Sequence, residues 1–229
     1  MPNHTHIYQH QASLYDLMIS KQPALSDAIT RIAPCAGRRL LDLGAGSGRL
    51  TLELAQEAAS ITATDLSPAM LEVLNARLAS LQPGAKVQTF AADHRQLPLP
   101  DQVFDVVFSG WSLSYITNAD VPEWRSNLSA VMSEIYRVLK PGGTVILLET
   151  MGTGYTEPHP PEFLKPYYQA LEEEYGFEHE WLRVDYTFDS VEQAAELTRF
   201  FFGEQLADTV QKNDWSVVPE CAGIWWKRK

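Results

Sequence analysis

A chain of 229 residues with 45% hydrophobic side chains can bury one large core, as a single α/β domain or as a core domain with an added cap. With 18 basic against 29 acidic residues the net charge is −11, which offers DNA or RNA no long-range attraction and argues against a nucleic-acid partner. The opening Met1-Pro2-Asn3-His4 lacks the positive start and apolar run of a secretion signal, no segment approaches the roughly 20 apolar residues of a membrane span, and Cys35 and Cys221 lack metal or redox spacing. The expectation is a cytoplasmic monomer or homodimer with buried free thiols and no membrane contact.

From residue 38 to 150 strand-like and helix-like pieces alternate, the pattern of a parallel sheet covered on both faces. The sequence predicts strands at 39–43, 60–65, 86–91, 104–109 and 144–150. Helices are predicted near 49–59, 69–80 and 124–139, where apolar pairs such as Leu50/Leu54 and Leu71/Leu74 recur at helical spacing. Pro141-Gly142-Gly143 stops the last of these and turns the chain into its strand. Residues 152–161 are rich in turn formers, and a helix is predicted over 162–175, a strand over 181–188, a helix over 191–210 and a final strand over 215–226. Pro219 and Gly223 blur the ends of that last run, which reads as half of an edge hairpin completing the sheet.

The stretch Leu40-Leu41-Asp42-Leu43-Gly44-Ala45-Gly46-Ser47-Gly48 breaks an apolar strand into glycines at alternate positions before a helix resumes. Glycines let backbone approach a ligand, and the following helix aims free N–H groups at an anion. A dinucleotide fingerprint needs its third glycine where Arg49 stands, so a nicotinamide-dependent oxidoreductase is the weaker reading. Asp65 closes the second strand, where a carboxylate accepts hydrogen bonds from ribose hydroxyls; the plain alternative is a cap for the helix opening at Ser67-Pro68. Asp93 follows the third strand at the same edge and can accept from an adenine amino group, or serve as an ordinary turn aspartate. Gly110-Trp111-Ser112-Leu113-Ser114-Tyr115 leaves the fourth strand at the mouth of the site.

These residues resemble the class I S-adenosylmethionine-dependent methyltransferases, most closely the small-molecule group around the quinone-biosynthesis enzymes. The pieces that match, over roughly 38–150, are Leu41-Asp42-Leu43-Gly44-Ala45-Gly46-Ser47-Gly48, Asp65-Leu66-Ser67-Pro68-Ala69-Met70-Leu71, Ala92-Asp93 before Leu97-Pro98, Phe104-Asp105-Val106-Val107, and Glu134-Ile135-Tyr136-Arg137-Val138-Leu139-Lys140-Pro141-Gly142-Gly143. The resemblance implies a Rossmann-like, doubly wound, mostly parallel seven-stranded sheet with an antiparallel last strand and a helical cap. It implies a helical lid over 1–37, a cofactor-binding core over 38–150, a cap insertion over 151–180 and sheet-completing elements over 181–229. Gly44, Ala45, Gly46 and Gly48 would lie along the methionine end of S-adenosyl-L-methionine, with Asp42 orienting the loop through backbone hydrogen bonds. Asp65 would hold the ribose, Asp93 and His94 would border the adenine, and Leu66 and Met70 would pack against it. Ser109, at the end of the fourth strand, joins the cofactor set, and Tyr8 and Tyr15-Asp16 resemble the aromatic lid such enzymes fold over the cofactor.

Methyl transfer from a sulfonium is an in-line displacement, so the protein aligns partners and excludes water without needing a nucleophile of its own. No catalytic residue is therefore assigned, and His94 is the one candidate base for a hydroxyl or thiol acceptor. Trp111, Tyr115 and Glu149 stand at strand ends on the cofactor side as candidates for binding a small-molecule acceptor, or as ordinary packing. His4, His6 and His10 lack the outer shell that fixes a metal, so no metal is expected. Cys35 precedes the glycine loop, the wrong place for a cytosine-methylating nucleophile, and the fourth strand lacks the Asp/Asn-Pro-Pro-Tyr pattern of enzymes acting on nucleic-acid amines. The non-enzymatic alternative is a module that binds S-adenosylmethionine for regulation without turnover.

Overall fold

The computed structural model describes residues 2–81 and 86–229; Met1 of the expected lid and residues 82–85 of the expected core lie outside the described residues. Seven strands form the main sheet: β1 (Arg39–Leu43), β2 (Ser60–Asp65), β3 (Lys86–Ala91), β4 (Phe104–Gly110), β5 (Leu139–Thr153), β6 (Glu178–Arg183) and β7 (Glu220–Arg228). Their order is β3-β2-β1-β4-β5-β7-β6, with β7 antiparallel to both neighbours and β1 to β5 all parallel. The central strands read as near-continuous apolar runs because both faces are covered. Alternation divides them: Leu40, Val106, Phe108 and Ile146 pack under α3 (Ser26–Ile32) and α4 (Arg49–Leu54), while Leu41, Val107, Val145 and Leu147 pack under α7 (Trp124–Val138).

The predicted strands 39–43, 60–65 and 86–91 form with those bounds, and β5 begins earlier and ends later than the 144–150 expected. Helix α4 stops at Leu54, short of residue 59, where the Ala55 N–H closes on the Thr51 carbonyl. The helix expected over 191–210 is two, α9 (Val191–Phe202) and α10 (Glu204–Lys212), broken at Gly203, whose φ of +96° no helix tolerates. The strand expected over 215–226 also divides: Pro219 separates Val217–Val218, which pair with Tyr186–Thr187 in a small ribbon, from β7. Gly223 stays inside β7 because a Cβ there would overlap the Trp225 indole. The edge pair expected there forms between β6 and β7, which run antiparallel to each other, with β7 against β5 and β6 outermost.

The stretch expected as a cap insertion coils from Glu162 to Glu174, with α8 (Lys165–Gln169) at its centre, and buries Tyr167, Tyr168 and Leu171 in the same core as Leu147 and Trp225. It crosses from β5 to β6 as part of the layer. A separate apolar cluster joins the two chain ends: Ile7 of α1 (His4–His10) and Met18 and Ile19 of α2 (Ala12–Ile19) pack with Tyr186, Phe188 and Phe201. This cluster forms the roof of the site described next.

Candidate cofactor and acceptor site

The carboxyl ends of β1, β2 and β4 meet at one edge of the sheet. Past β1 the chain turns through Gly44, Gly46 and Gly48 at φ of +76°, +55° and +94°, left-handed values that favour glycine. Neither Gly44 nor Gly48 has room for a side chain: a Cβ on Gly44 would overlap the Ser112 hydroxyl, and one on Gly48 would overlap Leu74 of α5 (Pro68–Leu81). The Gly44 and Ala45 N–H groups donate to the Thr64 carbonyl at 2.7 and 2.9 Å, pinning the loop to β2.

Asp65 takes the helix-opening role weighed for it and adds a contact to the glycine loop. Its Oδ2 accepts the Gly46 N–H at 2.9 Å, and its Oδ1 accepts the Ser67 N–H at 2.7 Å where α5 opens. One carboxylate thus couples the glycine loop to a helix start. Asp42, expected to orient the loop through backbone hydrogen bonds, accepts instead from the Thr51 hydroxyl at 2.6 Å, and burial pushes its carboxyl up to about 7. Ser109 is also committed to the frame, its buried hydroxyl donating to the Leu43 carbonyl at 2.6 Å.

Beside this loop Leu66 is 72% exposed and Met70 is buried with its Cε against Gly46. An exposed leucine next to a ribose-type carboxylate offers a platform to a flat apolar ring. Asp93 lies in the fork of Arg95, with contacts of 2.6 and 3.0 Å, and that partner holds its carboxyl down to about 2. His94 points from the same turn toward β4, its Nε2 2.9 Å from the Ser112 hydroxyl; its Nδ1 is buried with no partner, and burial lowers its pKa, keeping the ring neutral. Ser47 likewise buries a hydroxyl with no partner. Left-handed glycines, an exposed apolar platform and unpartnered polar atoms fit a nucleoside bearing an amino-acid tail.

Over this edge lie α1 and α2. The Tyr8 and Tyr115 hydroxyls meet at 2.5 Å, His4 Nδ1 lies 3.3 Å from the Tyr115 hydroxyl, and the Ser67 hydroxyl donates to the Tyr8 carbonyl at 3.3 Å. Tyr15 packs edge-on against Tyr8, with ring centroids 5.1 Å apart, and burial raises its hydroxyl pKa far above the ordinary value. Arg77 of α5 bridges Asp16 at 2.5 Å and the Ser47 carbonyl at 3.2 Å, tying α2 to the glycine loop. Of the acceptor candidates, Tyr115 and Trp111 are brought to this roof and its flank. Trp111, at φ +52°, carries the Arg49 guanidinium 4.6 Å from its ring centroid. Glu149 sits apart, buried beneath α6 (Ser114–Thr117), where it accepts the Ser114 N–H at 3.1 Å and burial pushes it up to about 7.

Sequence reasoning missed Ser112, which lies directly over Gly44, and Glu220 and Tyr186, which reach the same region from the carboxyl-terminal part of the chain. The close approach of β4's exit to a glycine was the only local signal for the first; the other two leave none. A cavity of about 480 Å³ opens at the opposite edge of the sheet between Arg38, Asp105, Lys140 and Arg228, and shares no residue with the glycine loop.

A parallel sheet of this strand order, with a glycine turn after β1 and acidic residues after β2 and β3, defines a Rossmann-like nucleoside-binding fold with one reversed strand. Residues 41–147 match the model of the family described as "Methyltransferase domain". A demethylmenaquinone methyltransferase of Tropheryma whipplei is 30% identical over 169 residues, 71% of this chain and 62% of that protein. The sterol 4-C-methyltransferase strm-1 of Caenorhabditis elegans is 35% identical over 113 residues, 49% of this chain and 31% of that protein. The chain therefore spans less than two thirds of the length of either relative. A crystal structure of an S-adenosylmethionine-dependent methyltransferase from Aquifex aeolicus superposes with a TM-score of 0.61 over 94% of this chain and 96% of that one, at 15% identity, a likeness of fold. In sequence over residues 41–147 and in fold over most of the chain, the protein resembles methyltransferases.

Proposed function

We propose that the chain is an enzyme that transfers the methyl group of S-adenosyl-L-methionine to a small-molecule acceptor, acting in the cytoplasm as a monomer or homodimer. The observation that carries this reading is the Asp65 junction, one carboxylate fixing Gly46 and the start of α5 beside an exposed Leu66. The bound cofactor supplies an activated methyl group on a sulfonium. Gly44 through Gly48 cradle its amino-acid end, the remaining lone pairs of Asp65 take the ribose hydroxyls, and Leu66 and Met70 flank the adenine. Asp93, kept ionised by Arg95, and His94 border the base.

Tyr8, Tyr15 and Tyr115 roof the reacting groups and exclude water, and their faces favour a neighbouring cation. For an O–H or S–H acceptor, His94, kept neutral by burial, would accept the acceptor's proton at Nδ1. The names of two relatives, a sterol methyltransferase and a demethylmenaquinone methyltransferase, support an acceptor with apolar rings, which suits a roof made of aromatic side chains. Calorimetry with S-adenosylhomocysteine and with NADH, followed by transfer of a labelled methyl group across a panel of phenols, quinols, thiols and carboxylic acids, tests the reading. Binding of the first ligand with turnover of a panel member is expected. Preference for NADH refutes it, and binding without turnover assigns the chain to a non-catalytic module.

A further inference from the structure

Arg49 stands where the glycine loop hands over to α4, half-buried and outside every ion pair among the described residues. By contrast Arg77, Arg95 and Arg137 each hold a carboxylate. The Arg49 Nη1 donates to the Gln22 side-chain oxygen at 2.5 Å and the Nη2 to the Pro23 carbonyl at 3.3 Å, both uncharged, while its plane rests on Trp111. Two carboxyl groups act on it from a distance, Glu53 and Glu220, together with the Tyr15 and Tyr186 hydroxyls. Glu53 is committed to the Leu25 and Ser26 N–H groups at 2.6 and 2.8 Å. Glu220 is buried, accepts from the Thr150 hydroxyl through Oε1 at 2.9 Å, and leaves Oε2 with no partner.

A desolvated cation without a counter-ion is costly to the fold, and burial lowers the Arg49 pKa accordingly. Such a position is explained when a ligand brings the missing charge, and the planar guanidinium fork matches a carboxylate. Which ligand brings it follows from where the neighbours come from. Gln22 and Pro23 lie in the link between α2 and α3, and Tyr186 and Glu220 lie near the carboxyl terminus, all outside the matched domain of 41–147. The cofactor is common to the family, whereas the relatives' names give different acceptors, a sterol and a demethylated menaquinone. A cation framed mainly by segments outside the shared domain serves the ligand that varies.

We propose that Arg49 anchors a carboxylate carried by the methyl acceptor, with the unpartnered Glu220 oxygen and the Tyr15 and Tyr186 hydroxyls meeting a polar group beside it. This rests on the methyltransferase reading and narrows its acceptor to a carboxylate-bearing small molecule. The test follows the Arg49 Nε–Hε resonance, assigned by its loss in Arg49→Lys, in protein saturated with S-adenosylhomocysteine. Acetate, benzoate and succinate are titrated against acetamide, benzamide and succinamide.

A saturable shift is expected with at least one carboxylate, which binds roughly tenfold or more tightly than its amide. In Arg49→Met that preference falls to within about twofold while affinity for S-adenosylhomocysteine stays within about twofold of wild type. Absence of any carboxylate-dependent shift in the wild type overturns the proposal, whether or not the methionine variant folds. A roughly tenfold or greater loss of S-adenosylhomocysteine affinity in Arg49→Met also overturns it, by assigning the guanidinium to the cofactor's own carboxylate. Failure of the wild type to bind S-adenosylhomocysteine refutes the methyltransferase reading instead, and the titration without it still reports on Arg49.

Discussion

Replacing Asp65 by alanine strands two backbone donors at once, the N–H groups of Gly46 and Ser67, which the carboxylate accepts at 2.9 and 2.7 Å. Hydrogen bonds to a charged group are worth about 1.5–3 kcal/mol each, and the lower end applies because Asp65 is only partly buried and water can replace part of the loss. The expected destabilisation is therefore about 2–3 kcal/mol, a fall in Tm of roughly 4–12 °C at 2–4 °C per kcal/mol for a chain of this size. Cofactor binding loses the ribose contacts and the fixed position of Gly46 together, about 1–3 kcal/mol, or roughly 5- to 150-fold in the Kd of S-adenosylhomocysteine.

Asp65→Asn separates the two effects. Its amide oxygen still caps α5 through Ser67, but its NH2 group faces the Gly46 N–H and repels it. Much of the Tm should return while the affinity does not. Thermal melts and calorimetry on the three proteins decide the matter. An alanine variant with wild-type Tm and wild-type affinity would refute the idea that this carboxylate joins loop to helix.

Two further outcomes concern Glu149 and the Tyr8–Tyr115 contact. Glu149 is pushed up to about 7 by burial, so between the ordinary carboxyl value near ~4.3 and about 7 the folded chain keeps a proton that the unfolded chain has released. Its contribution is fully present below that window and is lost as pH rises through it; Glu149→Gln should leave urea stability at pH 4 nearly unchanged and raise it at pH 8 by on the order of 1–3 kcal/mol, and equal gains at both pH values would refute this account. Tyr8→Phe removes the 2.5 Å contact with Tyr115, worth about 0.5–1.5 kcal/mol, and should speed proteolysis within the first 20 residues by roughly 2- to 12-fold in the absence of ligand; unchanged cleavage would show that the hydroxyl pair does not hold the lid.

Much of the sheet could be read from the sequence because its signals are local. Leu40, Leu41 and Leu43 put apolar side chains on both faces, Pro141-Gly142-Gly143 marks a turn, and three glycines at alternate positions announce a left-handed backbone. The same locality exposed Asp65, whose place at the end of β2 follows from strand length alone. Errors arose where one residue breaks an otherwise regular pattern: Gly203 sits in a helical run and interrupts it through its backbone angle, and Pro219 divides a strand-like run by lacking a donor. Asp42 and Ser109 were placed at the right edge, yet a sequence cannot say that Thr51 and the Leu43 carbonyl already occupy their polar atoms.

The half of the site that remained unread is built from contacts between distant parts of the chain. Tyr8 meets Tyr115, His4 Nε2 lies 3.0 Å from the Phe201 carbonyl, Asp16 meets Arg77, and Arg49 reaches back to Gln22 while Tyr186 and Glu220 approach it from the other terminus. No spacing rule links such residues, because they stand far apart in the chain and meet only through the tertiary fold. The division has a physical consequence. The nucleoside site proposed above draws on the turns that follow β1, β2 and β3, so it can persist on the sheet while the chain ends change. In the reading proposed above the acceptor meets those ends, which fold over the edge as one apolar cluster including Ile7, Met18, Tyr186 and Phe201. A substitution inside that cluster should therefore alter acceptor choice and lid stability together, whereas one beneath the glycine loop should act first on the cofactor.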